Sequence, residues 1–185
     1  VWVVNSFYEP QQALTATATV YDIDLKQRHQ ESVTVDVAPD GKIEAMQLVW
    51  PPDLSKTFFL RLELEDADGA RITDNLYWLS TQWDEPGELT GGWRDFATEP
   101  ESYMDLTGLR DLPDVELDTD YSVSEQDGET TMTVTLANND DHLAFFVNLG
   151  VMQGESLIEV APSYWSENDL SIFPGESREL TVTFA

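Results

Sequence analysis

Cysteine is absent from this chain, so neither a disulfide framework nor the inter-sheet bridge of antibody domains can form. Lysine is almost absent: only Lys26, Lys42 and Lys56 occur, and 9 basic residues stand against 36 acidic ones. The resulting net charge of −27 repels phosphate backbones and anionic lipid headgroups, which excludes nucleic acid and the membrane surface as partners. No apolar run approaches the ~20 residues of a membrane helix. The only histidines, His29 and His142, stand apart beside turn or polar residues and read as surface side chains. Without cysteine they would form at most an incomplete zinc shell. A glycine-rich phosphate loop and a serine nucleophile elbow are also missing. No cofactor or metal is therefore expected.

What is present is acid, spread through nearly every turn and wet strand face. A surface adapted to high salt accounts for that spread, because at ~1 M salt the screening length falls to ~3 Å and like charges stop repelling at range. The alternative is attraction of a cationic ligand such as an amino sugar polymer. Salt adaptation predicts a higher unfolding temperature in molar salt than in dilute buffer; a melting curve indifferent to salt removes it.

The apolar residues, with the aromatic ones among them, make up 41% of the 185 positions, enough for one large sandwich or two ordinary ones. Phe58, Leu60, Leu62 and Leu64 recur at every second position with Arg61, Glu63 and Glu65 between them. That is a strand with one buried and one wet face. Asp66-Ala67-Asp68-Gly69 then turns the chain, and Ile72, Leu76 and Trp78 lead it back to Ser80. Earlier strands are read at Val1–Phe7, Leu14–Tyr21, Val33–Val37 and Ile43–Trp50, the last stopped by Pro51-Pro52. The pattern repeats after Leu112: Met132, Val134 and Leu136, then Phe145, Val147, Leu149 and Val151, then Leu170–Phe173, and last Leu180, Val182 and Phe184. Asn138 to Asp141 reads as a turn. Short strands with turns every 8–12 residues mean β-sandwiches. The expected layout is a sandwich over 1–82, a linker over 83–111 and a second sandwich over 112–185.

The linker lacks alternation but carries Trp83, Trp93, Phe96, Tyr103, Leu106 and Leu109. A flexible tether would be Gly- and Ser-rich, so this one is expected to lie packed on one or both sandwiches and to include a short helical turn between Pro100 and Arg110.

With these residues placed, a resemblance can be stated. Val3-Val4-Asn5, Thr17 to Asp22, Asp68-Gly69 and Tyr77-Trp78-Leu79-Ser80 resemble the immunoglobulin-like domain that follows the barrel in exo-β-glucosaminidases and β-mannosidases, large family 2 glycoside hydrolases. Tyr103 to Leu109 with Leu112-Pro113 resembles the connecting segment of the exo-β-glucosaminidases. Phe145-Phe146-Val147, Pro162, Ser166-Glu167-Asn168 and Phe173 to Ser177 continue the likeness, although Ser-Asp-Asn is more usual at the third of these. The chain opens at Val1 inside an apparent strand, as a piece cut from something longer would. The resemblance implies an all-β chain of two tandem immunoglobulin-like β-sandwiches joined by an ordered, aromatic-rich linker, beside the catalytic barrel of the same parent chain. It also implies that the glutamates of a retaining mechanism, ~5–5.5 Å apart, belong to that barrel. No position here matches their motifs, so no catalytic residue is assigned. For the parent enzyme a secreted or periplasmic location is favoured.

Two further patterns need weighing. Asp66-x-Asp68-Gly69 fails as an EF-hand, which would place an acid at Leu64 and a glutamate at Asn75 between helices. The aromatics carry more. Trp93, Tyr103 and Trp165 fall in segments read as loops and are the candidates for contact with carbohydrate or with the barrel. Trp50, Trp78, Phe145 and Phe184 fall in segments read as strands, which assigns them to the core. The leading expectation is a non-catalytic accessory role in a family 2 enzyme; the alternative is an autonomous carbohydrate-binding module for a chitosan- or mannan-type polysaccharide.

Overall fold

A computed structural model describes residues 1–88, 92, 100–126, 128–154 and 158–184. They form two compact units, Val1–Asp111 and Leu112–Ala185, and among the described residues no α-helix occurs.

The first unit contains β1 (Trp2–Asn5), β2 (Gln11–Asp22), β3 (Gln27–Val37), β4 (Gly41–Glu44), β5 (Thr57–Glu65) and β6 (Arg71–Ser80). A four-stranded antiparallel sheet runs in the order β3-β2-β5-β6, and β1 pairs with β4 in a second sheet of two strands. The alternation read in the sequence sets the inner face. Leu14, Ala16, Ala18 and Val20 of β2 meet Phe58 and Leu60 of β5, Val35 and Val37 of β3, and Val3 of β1 in one buried cluster. The strand read at Ile43–Trp50 stops at Glu44. Its ladder to β1 ends at Val1, which bonds the Ala45 and Met46 backbone, and no partner continues it. Trp50 is therefore not on a strand.

The Asp66–Gly69 turn closes as its residues demand. Oδ1 of Asp66 accepts the amides of Asp68 and Ala70 at 2.9 and 2.8 Å, and Gly69 sits at φ 80°. A methyl group at Gly69 would meet nothing within 4 Å, so Gly69→Ala isolates the backbone term. Its expected cost is about 1 kcal/mol, read as a lowered urea midpoint with unchanged slope.

The second face of this sheet departs from expectation. Thr57, Phe59, Arg61 and Thr19 are all buried, where the alternation predicts a wet surface. Part of the cover comes from 100–111. The Thr57 hydroxyl donates to the Asp105 carbonyl at 3.0 Å, and a Cβ on Gly108 would stand 3.1 Å from Thr57 Oγ1, so a side chain there would press on Thr57. The helical turn there is a 3-10 turn confined to Thr107–Asp111.

The second unit contains β7 (Asp118–Gln126), β8 (Glu129–Ala137), β9 (Ala144–Val147), β10 (Met152–Gln153), β11 (Ile158–Glu159), β12 (Ser163–Trp165), β13 (Leu170–Ile172) and β14 (Ser177–Phe184). The main sheet runs β12-β14-β8-β7, β13 pairs with β9, and β10 with β11. Val134, Leu136, Ala144, Leu170, Ile172 and Leu180 form its core. The strand expected over Phe145–Val151 ends at Val147, its regularity broken by Phe146 at φ 55°. Sequence pattern missed β7 altogether. It is an edge strand exposed along its whole length, so no burial stamps a period on its residues.

Candidate functional site

Of the expected site residues, Tyr103 falls in the first unit and Trp165 in the second. Trp93 lies outside the described residues. Trp165 is in β12 rather than a loop, paired with Val182 and packed half-buried against the second core. Tyr103 is on the first unit with 63% exposure, and its carbonyl accepts the Gln82 side-chain amide at 2.8 Å.

The structure instead brings together Trp50 and Trp83. Pro51-Pro52 cannot propagate a ladder, so the chain after β4 loops back over the start of β5. This brings Trp50 edge-on against Phe58, with ring centroids 5.3 Å apart and planes at 63°. After β6 the Thr81 amide bonds the Lys56 carbonyl, and Trp83 follows, its carbonyl held by the Ser102 hydroxyl at 2.7 Å. Between them opens a cleft of about 210 Å³ lined by Trp50, Pro51, Leu54, Phe58, Thr81 and Trp83. Phe58 is its buried floor, while Trp50 is 37% and Trp83 48% exposed. Sequence reading assigned Trp50 to the core. The signal against that was Leu48-Val49-Trp50, three apolar residues in a row before two prolines, which a strand with one wet face does not carry.

Charges around the cleft are arranged. Arg28 reaches the Pro52 carbonyl at 3.3 Å but is engaged at 2.6 Å by Asp22. Burial pushes the Asp22 carboxyl up, and the Ser55 amide and the Arg28 guanidinium together overcome it, leaving a lowered pKa. Lys56 is paired to Asp105 at 3.1 Å. The Thr107 hydroxyl and amide, and then Lys56, pull Asp105 down to about 2. A depressed carboxylate stabilises above its unfolded pKa of 3.8, and that contribution fades as pH falls through about 2. The Thr107 amide, which Asp105 Oδ1 accepts at 3.0 Å, is therefore expected to lose hydrogen-exchange protection between those limits. Asp105→Asn should abolish this pH dependence.

A second cleft of about 240 Å³ lies between β1 and β6. Its exposed aromatic, Trp2, already carries the Lys42 ammonium 5.3 Å from its ring centroid. Among the described residues no three His, Asp or Glu side chains converge on a metal position, and no helix is long and apolar enough to cross a membrane.

Two immunoglobulin-like β-sandwiches, the first carrying an aromatic cleft, define a tandem β-sandwich protein. Residues 1–82 match the mannosidase Ig/CBM-like domain and residues 95–185 the exo-β-D-glucosaminidase Ig-fold domain. The chain belongs to the immunoglobulin-like domains of the exo-β-D-glucosaminidase type. It is 34% identical to the exo-β-D-glucosaminidase of Streptomyces avermitilis and 33% identical to that of Amycolatopsis orientalis, in each case over 100% of this chain. It spans 21% and 18% of those proteins, about a fifth of each. The exo-chitosanase CsxA of Amycolatopsis orientalis, solved with PNP-β-D-glucosamine, superposes with a TM-score of 0.89 at 30% identity, over 99% of this chain and 22% of that one.

Proposed function

We propose that the chain is the accessory part of an exo-β-glucosaminidase, supporting a catalytic barrel in the same parent chain and helping to shape its substrate cleft, with no catalytic residue of its own. The observation that carries this is the likeness over the whole chain to relatives of which it spans about a fifth. A β-mannosidase parent is the less supported form, since only residues 1–82 match a mannosidase-type domain. The purified 185-residue chain is expected to leave a p-nitrophenyl β-glucosaminide intact; turnover above background would refute the role.

A second reading, direct binding of a chitosan- or mannan-type polysaccharide, is favoured by one feature: half-exposed Trp50 and Trp83 flanking a cleft large enough for a sugar ring. The net charge of −27 favours a cationic chain over a neutral one.

A further inference from the structure

We infer that the Trp50–Trp83 cleft of the first sandwich is a binding site for a hexosamine ring that carries a free amine. This rests on the sugar-binding reading above and places it at one location.

The first support is shape. A pyranose has flat C–H faces that pack on indole rings, and the cleft offers two half-exposed indoles above the closed apolar floor of Phe58. Its about 210 Å³ is the size of one sugar unit rather than of a peptide segment. Trp83 is held through its own backbone carbonyl, by the Ser102 hydroxyl at 2.7 Å, which leaves the side chain to line the cleft.

The second support is charge. Asp53 and Asp84 adjoin the lining residues in the chain and both are exposed. The nearby cations Arg28 and Lys56 are already bonded to Asp22 and Asp105. Asp84 Oδ1 accepts the Met104 amide at 2.6 Å, and among the described residues no cation is paired with Asp53 or Asp84, so the chain beside the cleft carries negative charge that favours an ammonium group. The other cleft has Lys42 on its indole and opposes such a ligand.

The test titrates the 185-residue chain with a β-1,4-linked glucosamine tetramer, following tryptophan fluorescence and heat, with the N-acetylated tetramer as the uncharged control. Saturable binding is expected, weaker for the acetylated sugar. The difference between the two sugars should shrink at ~1 M salt, where the screening length is ~3 Å. Trp83→Ala should weaken binding about tenfold, the loss of one stacked ring face, with the unfolding midpoint held near wild type because Trp83 is half exposed. Asp53→Asn keeps a residue tolerant of the φ of 61° found there, and should weaken only the amine-bearing tetramer. Binding that Trp83→Ala leaves unchanged overturns the cleft while leaving sugar binding standing. No binding of either tetramer overturns both.

Discussion

Asn138→Ala should destabilise the second sandwich by about 3–5 kcal/mol, a large share of the ~5–15 kcal/mol that holds a domain folded. The side chain is fully buried. Its amide nitrogen donates to the carbonyls of His142 and Ile172, both at 2.8 Å, and its Oδ1 accepts the Asp140 amide at 3.0 Å. Its backbone closes the same junction: the Asn138 amide bonds the Glu176 carbonyl, and the Gly175 amide bonds the Asn138 carbonyl. One residue thus joins the end of β8, the following turn and the β13–β14 connection. Alanine leaves two carbonyls and an amide without their partner, each at ~1–3 kcal/mol where water cannot replace it.

The first sandwich repeats the device. Buried Asn5 donates to the carbonyls of Glu9 and Ala38 at 2.8 and 3.0 Å, and its Oδ1 accepts the Phe7 amide at 2.9 Å. Asn5→Ala should therefore act on the other unit. Hydrogen exchange by residue separates the two effects. Asn138→Ala should strip protection from β8 and β14 and spare β2 and β5, and Asn5→Ala should do the reverse. Asn138→Asp adds a control for packing: a carboxylate keeps the shape but turns an oxygen toward two carbonyls, so it should fail as badly at neutral pH and partly recover in acid, once it can donate. Full stability of Asn138→Asp at neutral pH would show that volume, not hydrogen bonding, matters.

Phe59→Ala is expected to cost as much as Phe58→Ala, about 3–5 kcal/mol each. Only Phe58 belongs to the alternating apolar set, and it lies in the main core. Phe59 faces the other way, in register with Tyr21 of β2 and Trp78 of β6, yet it has no exposed surface. If its face were the wet surface of a one-sided sheet, truncation would cost well under 1 kcal/mol. Chemical denaturation of the two variants decides between these by a wide margin. Arg61, two residues on, is buried on the same face at 2.9 Å from Glu63 and 3.6 Å from Asp74, so the covered area extends beyond one ring.

The parts legible in the sequence share a cause. Leu14 to Val20 and Phe58 to Leu64 each point alternate residues into one core, and burial imposes that period directly. Gly69 and its Asp66 anchor were legible because a turn at positive φ leaves few residue choices. Trp50 was misread because an apolar residue looks the same in a core strand and at the mouth of a cleft; the difference lies in whether β1 extends far enough to pair with it. Trp165 was misread the other way, since three residues of β12 between polar neighbours carry too little pattern to mark a strand. Asn138 sat in an Asn-Asn-Asp-Asp run that reads as turn, and nothing local separates the one buried amide from its exposed neighbours.

The sequence alone determined the all-β class, the two-sandwich layout and the inner faces, because each follows from local period or turn chemistry. Tertiary structure alone decided which second faces are covered, which indoles open onto a cleft and which asparagines hold the sandwiches closed. Those properties depend on what lies opposite a residue across tens of positions of chain, and no local pattern records a distant neighbour.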